Sequence, residues 1–500
     1  MANLIGARIE RKEDKKFLTG KGKYTADINL PKQTYAYFVR SPHARAKITK
    51  VDHSKAMKAP GVIDVFTGDC VAKDKIGGLI CGWKIVSHDG KDMKCPPHPV
   101  LAKDSVNFVG DHVAVVVAET LEQAKNAAEL VNVNYKIQKA VTKTEEATGF
   151  ENIHDGIDNN LSFDFLLGDK GKTEEAFSKA NKIVKLDIIN NRLIPNAMEP
   201  RAAIGDYNTS SDELTLYTAS QNPHLDRLIM SAFNAVHPEH KFRIVAPDVG
   251  GGFGSKINVY AEDVVVAYAS KKIGRPVKWV AERSESFLSD CHGRDHITHV
   301  ELAIKNDGKI IGLKVDTIAN IGAYASLFAT VTPTYLFGPC ATGVYTIPAA
   351  YTNVKAVYTN TAPVDAYRGA GRPEATYTIE RLVEKAAMEL GIDRTEIRMK
   401  NFPTEFPYQQ TLVHSVDSGD YVGGLKKAIK VSDYEGFEKR KKESESKGKL
   451  RGIGLCSYFE ACGIAPSPVV MMLGCGIGLW ESAEVRFNPT GNVTVFTGSH

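Results

Sequence analysis

Cysteine is scarce in this sequence and poorly placed for cluster chemistry. The 500 residues include 8 cysteines, Cys70, Cys81, Cys95, Cys291, Cys340, Cys456, Cys462 and Cys475. No two have Cys-x-x-Cys spacing, which removes support for zinc ribbons, iron–sulfur ladders and thioredoxin-like pairs. Spread so thinly, they read as free thiols in a reducing compartment rather than disulfides. Charge of one sign is also lacking. A formal net charge of +4 with no long basic stripe gives nucleic acid nothing to bind. The one charged run, residues 435–449, mixes both signs and reads as a solvated helix or linker. The start of the chain turns charged at Arg8 and has no apolar signal core. The most apolar stretch, residues 469–480, is glycine-rich and too short to span a bilayer. These absences predict a soluble cytoplasmic protein.

What remains is an ordinary globular composition, 43% hydrophobic and 24% charged. The length suggests about three domains at roughly 150 residues each. Residues 33–40 are apolar and aromatic, a strand candidate, and residues 113–118 form a continuous buried-strand pattern. Thr120 and Gln123 make a capping box. Leu121, Ala124, Ala127, Ala128 and Val131 then recur at helical spacing, and residues 131–135 return as a strand. We expect a β–α–β unit within a domain of residues 18–138. Residues 139–170 are rich in turn formers such as Gly149, Gly156, Asp158, Asn159 and Asn160, and read as a linker.

Residues 155–405 alternate strands and helices. Strands are expected at 242–249 and 276–281, with a helix at 258–272. A hairpin pairs Val300, Leu302 and Ile304 with Ile311, Leu313 and Val315 around Asp307-Gly308. A helix at 374–390 presents Ile379, Leu382, Val383, Ala386 and Leu390 on one face and stops at Gly391. Asp393 with Glu396 opens a shorter helix as a second capping box. A third part, residues 425–500, holds strand-like segments at 483–487 and 493–497.

Three segments carry candidate chemistry. The first is Pro247-Asp248-Val249-Gly250-Gly251-Gly252-Phe253-Gly254-Ser255-Lys256, between a strand and a helix. Glycines let backbone N–H groups approach an anion closely, and a helix start adds a favourable dipole. It is neither a Walker loop nor a dinucleotide fingerprint, and a tight structural turn would explain it equally well. Phe253 inside the run suits a pocket wall or a core plug. The second is Val364-Asp365-Ala366-Tyr367-Arg368-Gly369-Ala370-Gly371-Arg372-Pro373-Glu374, where two arginines flank exposed glycine amides. That suits an anionic group or a polarised carbonyl. The simpler reading pairs Arg368 with Asp365 or Glu374 merely to order the loop. The third is Ala219-Ser220-Gln221-Asn222-Pro223-His224 at a strand end, a common site location and equally a helix cap made by Ser220 or Asn222. His224 reads as structural. Cys291, His292, His296 and His299 resemble metal ligands, but the last two lie on a strand and no His-Glu-x-x-His spacing is present, so a zinc site is disfavoured.

These features, in this order, resemble the molybdenum-cofactor-binding large subunit of the xanthine oxidase and aerobic carbon monoxide dehydrogenase family. The resemblance begins with Arg11, Phe17, Gly20, Gly22, Tyr24 and Asp27. It continues through Arg40-Ser41-Pro42-His43-Ala44 and Val109-Gly110-Asp111, and through the three segments above, to residues 491–500. It implies an α+β fold: an aldehyde oxidase/xanthine dehydrogenase hammerhead domain followed by mixed α/β molybdopterin-binding domains, the second starting at 425–500. It implies molybdopterin with Mo, in the cytosine dinucleotide form of bacterial relatives, held with no direct protein ligand to the metal. Gln221 would meet the apical oxo ligand. Gly251, Gly252, Phe253 and Gly254 would line the cofactor, with Ala366, Tyr367, Arg368 and Gly369. Arg368 would orient a small-molecule substrate and stabilise charge developing on it. Electrons would leave through two 2Fe–2S clusters on a small subunit to FAD on a medium subunit, in a dimer of heterotrimers. This chain has neither the cysteine sets for such clusters nor an FAD fingerprint.

Three departures shape the expectation. The family's glutamate base near the C-terminus has no counterpart, which predicts a shortened chain that is inactive and cofactor-free alone. Carbon monoxide dehydrogenases carry a copper-binding cysteine directly after the loop arginine, where this chain has Gly369. Purine hydroxylases carry a substrate-binding glutamate after the glycine-run lysine, where this chain has Ile257. Hydroxylation of an N-heteroaromatic or an aldehyde is therefore expected. The alternatives are a carbon monoxide dehydrogenase subunit of the type lacking the copper cysteine and a non-catalytic anion-binding scaffold.

Overall fold

The valine-rich run at 113–118 forms an internal strand, next to one edge, of a seven-stranded sheet in the computed structural model, which describes residues 6–461, 463, 467–476 and 482–497. Every residue of the strand His112–Ala118 is buried, as both faces of an internal strand require. It pairs antiparallel with Thr34–Arg40 on one side and Val62–Thr67 on the other. Thr34 and Tyr35 then pair in parallel with Val277 and Lys278, and the sheet continues through Ala202–Asn208, Glu213–Thr218 and Phe242–Val245. One ladder thus crosses the stretch read as a linker. The helix Ala261–Ile273, buried at Ala261, Glu262 and from Val264 to Ser270, covers this sheet and ends at the left-handed Gly274. It presses on Gly205, where a Cβ would lie 2.7 Å from the Val266 carbonyl oxygen.

The expected β–α–β unit is not one unit. The capping box forms, with Gln123 N donating to Thr120 Oγ1 at 3.2 Å and Thr120 N to Gln123 Oε1 at 3.1 Å. The helix Leu121–Ala128 buries Ala124, Ala127 and Ala128 and leaves Leu121 exposed. But Asn132–Ile137 joins a separate three-stranded sheet, antiparallel to Ala46–Asp52, whose other neighbour is Ser105–Val106. Asn132, Asn134 and Lys136 alternate outwards, which suits a strand with one wet face rather than a buried parallel one.

The second large sheet has the order Leu161–Gly168, Ala350–Val357, Ile310–Asn320, His296–Ile304, Lys182–Asn190. The predicted hairpin lies at its heart, and Gly308 takes the positive φ that the turn needs. The helix Arg372–Leu390 packs Ile379, Leu382, Val383 and Ala386 into the core beside it and stops at Gly391. Two corrections apply. The supposed linker contains the strand Leu161–Gly168, and the 242–249 strand ends at Val245. Beyond Val245 the backbone is drawn aside, because Asp248 accepts from Lys23 N at 2.8 Å and from Lys16 Nζ.

Past residue 432 the chain forms the helix Phe437–Glu445 and a hairpin of Ala483–Phe487 with Val493–Thr497, exposed at every position. Cys462 and the end of the 491–500 motif lie outside the described residues. Among the described residues no helix is long and apolar enough to cross a membrane.

Candidate functional site

Gln221 follows the strand Glu213–Thr218 and precedes the helix Pro223–Ala232. The turn between them is held from behind. Ser220 Oγ accepts the Asn222 amide at 3.0 Å and donates to the buried Asp226 carboxylate, whose pKa burial pushes well above the usual range. Asn222 contributes no side-chain cap, and His224 is exposed. The Gln221 amide nitrogen donates to Lys256 O at 2.9 Å, and its Oε1 accepts the Gly254 amide, also at 2.9 Å. Its Nε2 makes no hydrogen bond among the described residues.

The glycine run is a loop rather than a helix start; only the short turn Ser255–Ile257 separates it from the approach to the helix Ala261–Ile273. Two glycines are required by contact. A Cβ on Gly252 would lie 2.3 Å from Gln221 Oε1, and one on Gly254, at φ +103°, would lie 2.1 Å from the Ala366 carbonyl oxygen. Gly251 packs under the Phe253 ring. Phe253 is held at φ 55° and is 41% exposed, a wall rather than a plug. The amides of Gly251, Gly252 and Phe253 donate to nothing among the described residues. The loop is anchored by a buried ion pair that the sequence did not single out: Lys256 Nζ lies 2.7 Å from Glu199 Oε2, which also accepts the Gly250 amide at 2.7 Å. Desolvation pushes the Lys256 pKa down, and Glu199 opposes it.

Arg368 reaches the same place from the third segment. Its amide donates to Phe253 O at 2.9 Å, and its guanidinium carbon stands 5.9 Å from the Phe253 ring centre. The simpler reading of Arg368 does not hold. Asp365 is engaged by Ser326 Oγ, Phe328 N and Ala366 N, and Glu374 by Arg294. Arg368 is exposed and has no ion pair among the described residues. Arg372 instead ties the loop to Glu460 at 3.2 Å and to its own Gly369 carbonyl.

The metal-like cluster disperses. His299 pairs with Asp187 and Glu301, His296 packs against Phe337, and His292 sits between Arg192 and the Phe287 carbonyl. Among the described residues no group of three His, Cys, Asp or Glu could hold a metal ion.

Gln221, Gly251 to Gly254, Ala366, Tyr367 and Arg368 therefore converge from three loops. Five donors there meet no partner among the described residues: Gln221 Nε2, the amides of Gly251, Gly252 and Phe253, and the Arg368 guanidinium. Such a set of donors suits an oxygen-rich, anionic group. A cofactor that brings its own metal and oxo oxygens fits this donor set. Glu199, half-buried, and Arg294, buried, both far away in sequence, are the supports that only the folded chain reveals.

Comparison with known proteins follows the same lines. The family described as "Molybdopterin cofactor-binding domain" matches residues 153–402, and a second family of that description matches 427–500. "Aldehyde oxidase and xanthine dehydrogenase, a/b hammerhead domain" matches residues 19–139. The chain is 35% identical, over 98% of its length, to the carbon monoxide dehydrogenase large chain of Hydrogenophaga pseudoflava, and spans 62% of that protein. It is 32% identical, over 99% of its length, to the nicotine 6-hydroxylase large subunit of Paenarthrobacter nicotinovorans, and spans 60% of it. The solved structure of quinoline 2-oxidoreductase from Pseudomonas putida 86 superposes with a TM-score of 0.92 at 32% identity, over 99% of this chain and 62% of that one.

Proposed function

The chain belongs to the molybdenum hydroxylase family, as a large molybdopterin-binding subunit, and from that premise we propose that it hydroxylates an N-heteroaromatic or an aldehyde within a larger complex. The observation that carries this is the convergence of unpartnered donors from Gln221, Gly251 to Phe253 and Arg368. The bound cofactor, which we assign as the cytosine dinucleotide form, supplies the oxygen transfer and takes up the electron pair. Gln221 Nε2 donates to a cofactor oxygen, because its Oε1 is committed to Gly254. The amides of Gly251, Gly252 and Phe253, with the backbone of Ala366, Tyr367 and Gly369, line the group, and the Phe253 ring walls it. Arg368 orients the substrate and stabilises negative charge growing on it.

Substrate choice follows from two positions. Ile257 packs against the apolar core, so a purine finds no carboxylate there. Gly369 offers no thiolate for Cu(I). The relatives named for nicotine and quinoline support an N-heteroaromatic. FAD-binding and 2Fe–2S partner subunits, in a dimer of heterotrimers, would carry electrons away, and the chain alone would be inactive. A carbon monoxide dehydrogenase working without that cysteine is the second reading, favoured by the 35% identity to such a large chain.

Metal analysis and dye reduction by the native complex test this. Near-stoichiometric molybdenum, with turnover of quinoline, nicotinate or benzaldehyde, is expected. Absence of molybdenum would leave a scaffold role, turnover of CO would select the second reading, and turnover of xanthine alone would overturn the substrate assignment.

A further inference from the structure

Arg294 lies on none of the three segments, yet it holds one of them. Residues 291–294 run alongside the start of the Arg368 loop: His292 N donates to Pro363 O at 2.9 Å, and Asp365 N donates to His292 O at 2.8 Å. Gly293 lets the two backbones close up, since a Cβ there would stand 2.3 Å from Tyr367 Cβ. Arg294 follows with φ 66°, in the left-handed region that a long side chain rarely occupies. That backbone turns its side chain inwards, and only 7% of the residue is exposed. The guanidinium Nη1 donates to Tyr367 O at 2.9 Å and to Glu374 Oε1 at 3.1 Å, and Nη2 donates to Arg368 O at 3.0 Å. Its carbon sits 4.7 Å from the Tyr367 ring centre.

We propose that Arg294 is a positioning residue: its buried fork grips the carbonyls of Tyr367 and Arg368, with Glu374 as counter-charge, and so sets the direction in which Arg368 faces the site. Among the described residues the Arg368 side chain has no polar partner to aim it, so its backbone must do so. That backbone is fixed on both sides, by Phe253 O at the amide and by Arg294 at the two carbonyls. A planar fork can hold two carbonyls and a carboxylate together, whereas an ammonium on a flexible stem cannot keep all three in one geometry. Glu374, 1% exposed in the first turn of the helix Arg372–Leu390, pairs the buried charge and ties the clamp to that helix.

The inference rests on the role proposed for Arg368, so the test separates the two. In the native complex, Arg294→Lys keeps the charge and loses the fork. Hydrogen exchange of amides 366–371 is expected to quicken by about tenfold or more, with the strand Ala350–Val357 unchanged. On the best substrate, kcat/KM should fall by about 10- to 100-fold, but by no more than about twofold when Arg368→Ala is already present, because both act through one group. Glu374→Gln should move exchange and kcat/KM in the same direction by less, and serves if Arg294→Lys fails to assemble. Unchanged loop exchange, or losses from Arg294→Lys and Arg368→Ala that multiply, would overturn the proposal. Full activity of Arg368→Ala would instead remove the role given to Arg368, while the exchange result still decides the clamp.

Discussion

Gln221 Oε1 lies 2.9 Å from the Gly254 amide nitrogen, and that bond decides which end of the side-chain amide faces the cradle. A backbone N–H can be met only by the oxygen, so the NH2 group is left free to donate elsewhere. Gln221→Glu keeps an acceptor for Gly254 and replaces the outward donor with a carboxylate oxygen. We expect kcat to fall about 100-fold, the scale for losing one preorganised donor, with Tm shifted by no more than about 2 °C. Steady-state kinetics with a melting curve check this, and an unchanged kcat would take Gln221 out of the reaction.

The loop that carries Phe253 depends on Glu199 and Lys256. Lys256 is 2% exposed, and its only carboxylate partner among the described residues is Glu199. Removing one member leaves a buried charge unpaired, which costs about 3–5 kcal/mol. Glu199→Gln should therefore lower stability by that order and release molybdenum from the purified complex. Glu199→Met combined with Lys256→Met should recover part of the stability, because no charge remains buried, while molybdenum stays low for want of the Gly250 anchor. Unfolding curves and metal analysis read both. A double variant no more stable than the single one would refute the pairing argument.

What the sequence made readable was local. The Thr120–Gln123 box, the Asp307-Gly308 turn and the stop at Gly391 each rest on residues within one turn of each other, where backbone preference alone decides. The three candidate segments were visible for the same reason. Partnerships between distant residues were not. The strand Leu161–Gly168 was hidden by the turn formers before it, since Asn159 and Asn160 both sit at positive φ next to it. The sheet joined by Asn132–Ile137 is chosen by Ala46–Asp52, which no local pattern names. Glu199 meets Lys256 across 57 positions and Arg294 meets Glu374 across 80, so neither support has a local signature.

Gly369 offers no thiolate for Cu(I), and its backbone leaves little room for a side chain that would. It stands at φ +95°, and a Cβ there would lie 2.4 Å from Pro373 Cγ, at the start of a helix that cannot easily retreat. Gly369→Cys should cost about 1–3 kcal/mol in strain, because the left-handed backbone and the contact act together. It should yield no CO oxidation after loading with Cu(I). Unfolding curves and a CO-dependent dye assay check the two parts; CO turnover in the loaded variant would mean that the loop can adopt another conformation.

His292 should make the protein more sensitive to acid. Arg192 Nη1 approaches its Nδ1 at 3.3 Å, so that nitrogen accepts, and Nε2 donates to the Phe287 carbonyl at 3.2 Å. Both contacts suit a neutral ring. Burial first, and then the Arg192 charge, push its pKa down to about 4 from an ordinary value of 6.5. Between those values the unfolded chain binds a proton that the folded chain refuses, so stability drains away as pH falls through this window. The slope is at most about 1.4 kcal/mol per pH unit, roughly 3 kcal/mol in all. His292→Gln retains an acceptor and a donor but cannot titrate. Its Tm should therefore fall less than that of the wild type between pH 6.5 and about 4, with the two curves parallel above pH ~7. Melting curves across that range decide it, and an equally steep acid fall in the variant would show that other groups govern the loss.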